Sequence, residues 1–396
     1  MHSINRLLQR LMFAFGGLLV AGPTFATQGS FPHGNGVKAE GMGGVGIALA
    51  QDTLAGANNP AGMLLVGARA DIGLVFLKTD EGARFAGTVH DGSSEKSLYI
   101  IPQLGFNYML GADTSLGLSI GGSGVGSAYG NQNVGGMQNP KSELKQMIGT
   151  ISLAHRVAPG HSLGVGLVLA YQRLALQGTA SLGLPDGHDS STGAGLSLGW
   201  IGEVAPGLSL GATYASKVRM GKLDQFKNLL ADGGTMDIPA HYGAGFSYVF
   251  GATTIAGDLM RIEWNDVSSL GNPGVGSATG APGSANGPGF GWQNQTVWRI
   301  GISHRLNEAW TLRAGYGDGS QIPNSRDTYL GILAPAANHV HATLGASWEL
   351  SKGSEVSLAY ARSFKDEIKG DGPMPNGATD LYMGQHWLSI SYGMRF

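Results

Sequence analysis

The carboxy-terminal end of the chain alternates strictly between apolar and polar side chains. Its apolar positions, two residues apart, are Leu388, Ile390, Tyr392, Met394 and Phe396. Successive side chains of a β-strand point to opposite faces, so this segment would be apolar on one face and polar on the other. Such a dyad is typical of a strand that faces lipid on one side and a polar lumen on the other.

The composition supports a membrane protein without membrane helices. Charged residues make up 13% of the 396 residues, against about 25% in a typical soluble domain. After residue 26 no apolar run approaches the ~20 residues that a membrane helix needs. In lipid every backbone polar group must be paired within the protein, and a closed β-barrel is the only non-helical solution. The sequence therefore predicts an all-β transmembrane fold.

The alternating pattern recurs in fourteen segments. They fall near residues 66–78, 97–110, 113–124, 143–157, 161–183, 193–204, 207–220, 236–250, 253–264, 294–306, 309–316, 338–350, 354–365 and 385–396. Links from even to odd segments are short, as at Gly111-Ala112 and Gly251-Ala252, whereas the other links are long. Outer-membrane barrels combine short periplasmic turns with longer outer loops. We therefore expect a 14-stranded antiparallel outer-membrane β-barrel with an even strand count and both termini in the periplasm.

The first 26 residues have the features of an export signal. The positive start, the apolar middle and the small-residue cleavage site are supplied by Arg6 and Arg10, by residues 11–20 and by Thr24-Phe25-Ala26. The predicted organisation is a signal peptide at 1–26, an amino-terminal plug, or hatch, at 27–65 and the barrel at 66–396. Such a chain would be a monomer in the bacterial outer membrane, in contact with outer-membrane lipid and lipopolysaccharide. Its net charge of −2 offers no basic surface for nucleic acid.

The stretch Gly41–Met63, just ahead of the barrel, is rich in small residues. Its glycines at 41, 43 and 46 match a dinucleotide-binding fingerprint, which also requires a preceding strand and an acidic residue about 20 positions later. Neither feature is present around this stretch. Glycines instead let short helical turns pack closely, and Pro60 would end the last turn with Asn59 held extended. These properties favour a compact plug.

The same stretch carries a family resemblance. The run GMGG through NNPAGM resembles the amino-terminal hatch of the FadL family of outer-membrane channels for long-chain fatty acids and other hydrophobic compounds. The most specific piece is the plug motif Asn59-Pro60-Ala61. Segments of the later barrel, such as 291–298 and 310–316, are also similar to that family.

The resemblance implies passive uptake of a hydrophobic compound, with long-chain fatty acids as the first choice and no cofactor. Two alternatives share the architecture, namely uptake of monoaromatic hydrocarbons and export of a lipid product. A structural or adhesive barrel with an inert lumen is a further alternative. The ligand would bind in the lumen, and a rearrangement of the plug near Phe31–Asn59 would release it sideways, so Phe31 is a candidate ligand contact.

Three further sets of residues are candidate parts of such a site. By strand alternation Arg299 and Arg313 face the lumen, where they could hold a carboxylate by charge-assisted hydrogen bonds. Four glycines at the end of the third segment favour a bulge or bend, and the resemblance implies a lateral opening there. An apolar loop helix within 221–234 could offer an outer landing site. The glycines are Gly121, Gly122, Gly124 and Gly126, and the loop residues are Phe226, Leu229 and Leu230.

No motif in the chain supports an enzyme or a metal site. Cysteine is absent, no H-E-x-x-H or G-x-S-x-G motif occurs, and we therefore expect no catalysis. His339 and His341 could share a metal on one strand face, although exposed histidines are more often plain polar residues. Aromatic residues near segment ends suggest an interfacial girdle. They are Tyr108, Tyr214, Tyr248, Phe250, Trp264, Trp298, Trp310, Trp348 and Trp387.

Overall fold

The computed structural model describes residues 28–396, and these form a closed barrel of fourteen strands around an amino-terminal plug. The predicted signal peptide at 1–26 lies outside the described residues. The barrel strands are β1 Arg69–Phe85, β2 Leu98–Gly111, β3 Thr114–Ala128, β4 Lys141–Ala158, β5 His161–Gln177, β6 Gly187–Ala205, β7 Leu208–Ala215, β8 His241–Phe250, β9 Thr253–Ile262, β10 Gln295–Arg305, β11 Trp310–Gly319, β12 His341–Ser351, β13 Ser354–Ile368 and β14 Thr379–Arg395. Two short strands, Thr88–Asp91 and Arg219–Met220, pair with β1 and β6.

The sheet closes by pairing its first strand with its last. Every barrel strand is antiparallel to its neighbours in sequence, and β1 pairs with β14 from Arg69 opposite Arg395 to Phe85 opposite Thr379. Closure removes the unpaired sheet edges that lipid does not tolerate. The predicted 14-stranded antiparallel barrel with a plug is confirmed.

The two ends of the barrel differ as the sequence predicts. Turns of two to four residues follow the even strands, for example 112–113 and 306–309, and the loops after the odd strands are longer. Several strands run further toward the loop end than predicted: β1 ends at Phe85 rather than at residue 78. The extra length lies at the loop end, where the strands are polar and the apolar alternation fades.

The outer surface of the barrel is a band of exposed apolar side chains. On β5 the outward positions Leu163, Val165, Leu167 and Leu169 are 48%, 51%, 43% and 45% exposed, and their neighbours in sequence point inward. In water such a surface would drive association, whereas lipid solvates it.

Most residues predicted for the aromatic girdle are exposed on the outside of the barrel, but two of them are buried and the prediction is wrong for those two. Trp310 and Trp348 stack at 5.7 Å on the outside, and Trp298 is also exposed. Trp264 and Trp387 are buried inside the barrel instead. Trp264 follows the end of β9 and folds inward in a turn, and Trp387 lies on the lumen side of β14, opposite in parity to the exposed Leu388.

The helices are short and belong to the plug and the outer loops. The plug has α1 Val37–Glu40, α2 Ala55–Asn58 and α3 Met63–Val66, and the loops have α4 Ala231–Gly234 and α5 Ser268–Gly271. Single 3₁₀ turns lie at Pro60–Gly62, Thr179–Leu182, Asp224–Phe226, Trp264–Asp266, Ser325–Asp327, Tyr329–Ile332 and Asn376–Ala378. Within residues 28–396 no helix is both long and apolar enough to cross a membrane.

The plug packs against the barrel wall at backbone distance. A Cβ atom at Gly315 of β11 would lie 2.1 Å from the Gly43 nitrogen of the plug, so only glycine fits at this contact. Gly67 has φ 71°, a conformation that ends α3 and turns the chain into β1. The plug therefore fills the lumen beside the strands.

Candidate functional site

An ionic cluster fastens the plug near the short-turn end of the barrel. Lys38 of the plug and Arg69 of β1 both donate hydrogen bonds to Glu355 of β13. Arg69 also binds Asp71 in bidentate fashion, at 2.7–3.0 Å, and Asp71 accepts hydrogen bonds of 3.0 and 2.7 Å from the amide and hydroxyl of Thr53. These groups are nearly inaccessible to water, so each charge depends on its partners.

Two carboxyl groups of the plug have raised pKa values. Burial raises the pKa of Glu40 to about 7, although Ser389 and Gln103 donate hydrogen bonds to it. Burial and the neighbouring Asp71 carboxylate raise the pKa of Asp52 to about 6. Desolvation disfavours the charged form of a carboxyl group. The plug is therefore held partly by groups that change charge near neutral pH.

The predicted plug motif makes a specific joint with the wall. Asn59 donates to the carbonyl of Ile47 in the plug at 2.8 Å and to those of Trp200 and Ala212 at 3.1 and 3.2 Å. Trp200 and Ala212 are register partners on β6 and β7, so one amide group ties the plug to two strands. The Asn59 side-chain oxygen accepts from the Ala61 amide at 3.1 Å, which starts the turn at Pro60.

The leading segment, defined here as residues 28–35, lies higher in the lumen. His33 forms a 2.9 Å hydrogen bond with Ser363, and its ring lies 4.9 Å from that of Trp387. The ring of His341 lies 4.1 Å away on the other side. Burial, followed by the influence of His341 and Arg299, lowers the pKa of His33 well below its ordinary value, so this packing requires a neutral imidazole.

Arg299 and Arg313 both face the lumen and both contact the plug. Arg299 donates to the Gly44 carbonyl at 3.1 Å and to the Gln28 side chain at 2.6 Å. Arg313 donates to Gln51 at 3.1 Å and to Ser347 at 2.6 Å. The register pairs Arg313 with Ser303, four residues below Arg299 on β10. The structure therefore places the two arginines at different levels rather than in one site.

A cavity separates the leading segment from the wall of the lumen. The volume of this cavity is about 110 Å³. Its lining includes Phe31, Asn35, Gly121, Met260 and Arg299. The ring of Phe31 is held by Trp264 at 5.2 Å and by His241 at 5.3 Å. The Nε atom of Arg299 has no hydrogen-bond partner in the described structure. Among the two arginines, only Arg299 borders this cavity.

The barrel wall beside the cavity contains a gap in its hydrogen bonding. β2 and β3 are paired only as far as Leu104 opposite Ile120. Beyond that point β2 stays paired with β1 and β3 stays paired with β4, but the two facing edges are not joined. The glycines predicted to disturb the strand, Gly121, Gly122, Gly124 and Gly126, all lie on this free edge. They keep regular pairing with β4, so the interruption affects one side of the strand only.

The leading segment covers part of that free edge. The amide of Gly124 donates to the carbonyl of Ser30 at 3.0 Å, and the Ser123 hydroxyl donates to the same carbonyl. Higher up, Ala128 donates to the carbonyl of Gly92 at 2.5 Å. The gap is therefore closed by loops and by the plug rather than by strand pairing.

The outer loop that the sequence singles out is folded differently from the expected helix. A 3₁₀ turn at Asp224–Phe226 and the short α4 replace one continuous helix, because Leu230 between them has an extended backbone, at φ −76° and ψ 139°. Phe226 is fully buried and Leu230 nearly so, and Leu229 packs partly buried against the same cluster. These side chains belong to one buried apolar cluster with Trp264 and Trp292.

The two histidines considered for a metal make separate contacts. His339 lies 2.8 Å from Asp318 and 3.2 Å from Asp366, whereas His341 is buried against the Gly43 carbonyl at 3.0 Å. No group of three or more potential metal ligands occurs within residues 28–396.

A lipid-facing barrel with an internal plug, a lumen cavity and a stretch of unpaired strand edge in its wall defines an outer-membrane channel for hydrophobic compounds. The sequence profile of the family described as "Outer membrane protein transport protein (OMPP1/FadL/TodX)" matches residues 24–373. The chain belongs to this family, whose members are transport channels of the bacterial outer membrane.

Solved structures share the fold at low sequence identity. The toluene transporter TodX of Pseudomonas putida is 19% identical with a TM-score of 0.71, and the match covers 92% of this chain and 99% of that one. The toluene transporter TbuX of Ralstonia pickettii is 19% identical with a TM-score of 0.67, at 92% and 99% coverage. A FadL homologue of Pseudomonas aeruginosa is 18% identical with a TM-score of 0.67, at 95% and 100% coverage. No curated protein matches the chain.

Proposed function

We propose that this channel takes up a hydrophobic compound by diffusion and releases it sideways into the membrane. The observation that carries the proposal is the position of Gly121 and Gly122, which line the lumen cavity and also begin the unpaired edge of β3. A ligand in the cavity is therefore one strand edge away from lipid. No covalent step is needed, because transfer from one apolar environment to another is driven by the ligand gradient.

The leading segment is the proposed gate. Ser30 occupies the free edge of β3 by accepting hydrogen bonds from Gly124 and Ser123, and Phe31 forms one wall of the cavity. Withdrawal of this segment would widen the cavity and uncover the edge together. Because the plug is fastened below by Glu355 and Asn59, the leading segment can move while the rest of the plug stays seated.

A long-chain fatty acid is our first choice of ligand. The unpartnered Nε–H of Arg299 borders the cavity, and a guanidinium group binds a carboxylate by charge-assisted hydrogen bonds. The acyl chain would lie among the apolar residues of the same cavity, such as Val168, Val218 and Ile238. Arg313 would act indirectly, by holding the plug through Gln51.

A monoaromatic hydrocarbon is the second candidate, and the size of the cavity favours it. A dry protein cavity of about 150 Å³ holds benzene, so the 110 Å³ between plug and wall is closer to an aromatic ring than to a long acyl chain. Two of the solved structures are described as toluene transporters. A fatty acid would require the leading segment to move before it could bind.

The lateral route is tested by filling the exit with Gly121→Trp. A Cβ atom at Gly121 would meet nothing closer than 3.8 Å, so the indole can enter the cavity without breaking the strand. Gly149→Trp is the matched control, because a Cβ there also has 3.8 Å of clearance but points to lipid from β4. We expect Gly121→Trp to reduce uptake of radiolabelled oleate and of toluene by cells about tenfold or more, with the control at the wild-type rate. Normal uptake by the Gly121→Trp variant would exclude this route.

The ligand class is tested by comparing both compounds in an Arg299→Gln/Arg313→Gln variant. Loss of a carboxylate partner lowers oleate binding and leaves toluene binding unchanged, whereas a disturbed plug changes both. Unchanged oleate binding would remove the head-group role of the arginines and favour the aromatic ligand.

A further inference from the structure

Two basic side chains face each other on the outside of the barrel. Lys145 of β4 and Arg173 of β5 are register partners. Their neighbours Leu144, Gln146 and Leu174 are buried in the lumen, so alternation directs both basic side chains outward. Like charges directly opposite each other destabilise a strand pair. A second observation is therefore needed to explain why two cations are placed here.

The apolar band shows at which level of the barrel this pair lies. On β5 the outward side chains run from the exposed Leu163 to the exposed Leu169, followed by Tyr171 and then Arg173. Aromatic residues mark the level at which hydrocarbon gives way to head groups. Arg173 lies one outward position beyond that marker, on the side of the long loops. The pair is thus level with the head groups of the outer leaflet.

The surrounding carboxylates do not balance the cations. Two further lysines lie nearby, and ion pairs join Lys145 to Glu143 at 2.8 Å, Lys96 to Glu143 at 3.7 Å and Lys141 to Glu95 at 2.6 Å. Four cations thus share two carboxylates, which leaves a local excess of two positive charges. Arg173 has no acidic partner within 4 Å among residues 28–396. Its register partner on β6 is Ser190, which adds an outward hydroxyl group.

We propose that Lys145, Arg173 and Ser190 bind a phosphate group of the anionic lipid of the outer leaflet, the lipid A portion of lipopolysaccharide. Arginine matches phosphate by a bidentate fork, and lysine adds a compact charge. Basic pockets at head-group level are a general device for holding anionic lipids. The apolar side chains directly below, such as Leu169 and Ile151, offer a surface to the acyl chains of the same molecule, which a free phosphate ion does not use.

The site also adjoins the gap in the barrel wall. Lys145 is the register partner of Gly124 on the unpaired edge of β3. A lipid bound at Lys145 would therefore stand beside that edge and order the leaflet around it. The proposed lipid site does not depend on which compound the channel carries, so either proposal can fail without the other.

The test uses a Lys145→Gln/Arg173→Gln variant of the whole protein, purified in detergent and titrated with lipid A by native mass spectrometry. We expect its affinity for diphosphorylated lipid A to fall about tenfold or more relative to wild type. Dephosphorylated lipid A is expected to bind wild type as weakly as diphosphorylated lipid A binds the variant. The control is Arg305→Gln/Lys352→Gln, which removes two exposed basic residues at the opposite rim. Heat-modifiable electrophoretic mobility verifies that both variants are folded.

Three results would overturn the site. Wild-type affinity in the Lys145→Gln/Arg173→Gln variant would show that these residues do not bind the lipid. An equal loss in the control would show that net charge, not this patch, is responsible. Displacement of lipid A by millimolar inorganic phosphate would make it a site for the free ion. A measurable but smaller loss in Ser190→Ala than in the double variant would support its contact with the phosphate, and wild-type affinity in Ser190→Ala would remove that contact.

Discussion

The two parts of the plug are held to the barrel in different ways. The part from Val37 to Val66 is fastened by the buried ion pair between Lys38 and Glu355 and by the Asn59 amide on two strands. The leading segment has no ion pair among residues 28–35. It is held by ring contacts, by a few hydrogen bonds and by the unpaired edge of β3, and it borders a cavity.

This contrast separates a fixed base, the part from Val37 to Val66, from a movable tip, the leading segment. Removing one member of a buried charge pair is costly, so the base stays seated. Apart from the charge-assisted hydrogen bond from Arg299 to Gln28, the hydrogen bonds of the tip join neutral groups, and such bonds contribute only about 1 kcal/mol each. On the proposed route, this difference in attachment would let the leading segment move while the rest of the plug stays in place.

The largest effect is expected from breaking the base with Glu355→Gln. Lys38 and Arg69 would then lose a shared carboxylate in a region closed to water, at a cost of roughly 3–5 kcal/mol. Hydrogen exchange in residues 37–66 should rise by several hundredfold or more in detergent. Glu308→Gln, on an exposed periplasmic turn, should leave it unchanged. If exchange rises only in the leading segment, the assignment of base and tip is reversed.

A pH effect of intermediate size is expected from Glu40. Its pKa rises from an ordinary 4.5 to about 7 when the plug is seated, so the seated plug binds more protons. The contribution of Glu40 to the stability of the seated plug is complete below pH 4.5 and is lost as the pH rises to about 7. This changes the free energy of unfolding by roughly 3 kcal/mol. His33 acts in the opposite sense below its ordinary pKa of 6.5, so the difference between wild type and Glu40→Gln isolates the carboxyl group.

The measurement is the thermal midpoint of both proteins between pH 5 and pH 8. The amide side chain introduced by Glu40→Gln can still accept a hydrogen bond from Gln103 and donate one to Ser389, so packing is retained. Parallel curves for the two proteins would mean that Glu40 does not titrate in this range.

The smallest effect on stability is expected in the tip, from Ser363→Ala. This change removes the 2.9 Å hydrogen bond to His33, worth about 1 kcal/mol. The rate of hydrogen exchange should rise about fivefold in residues 28–35 alone. Ligand uptake should be faster, because the leading segment is held less tightly in its closed position. Ser303→Ala, another lumen-side serine, is the control. Slower uptake in Ser363→Ala would indicate that the leading segment is needed in its closed position.

Much of the barrel can be predicted because its signals are local. The alternation around Leu388 fixes which side chains meet lipid, and short links such as Gly251-Ala252 fix which strands are neighbours. The same parity places Trp387 inside the barrel, as in the structure, and not in the predicted girdle. Trp264 was not predictable in this way, since it lies in a turn after β9 where alternation no longer applies.

The candidate site was predicted only in part. Alternation turns Arg299 toward the lumen, but its partners Gln28 and Gly44 lie more than 250 residues earlier in the chain. The glycines from Gly121 onward signal an irregular strand, yet their pairing with β4 is intact. The missing partner is β2, whose departure is a property of how the sheet closes.

By itself the sequence determined a lipid-facing barrel and its two unlike ends, because side-chain alternation and turn residues act within a few positions, and its resemblance to a known family indicated the plug. The tertiary structure alone decided where the wall is unpaired, which arginine reaches the cavity and which cations share a row on the outside. Those features depend on strand register and on contacts between distant segments, and no local pattern encodes the distance between two strands.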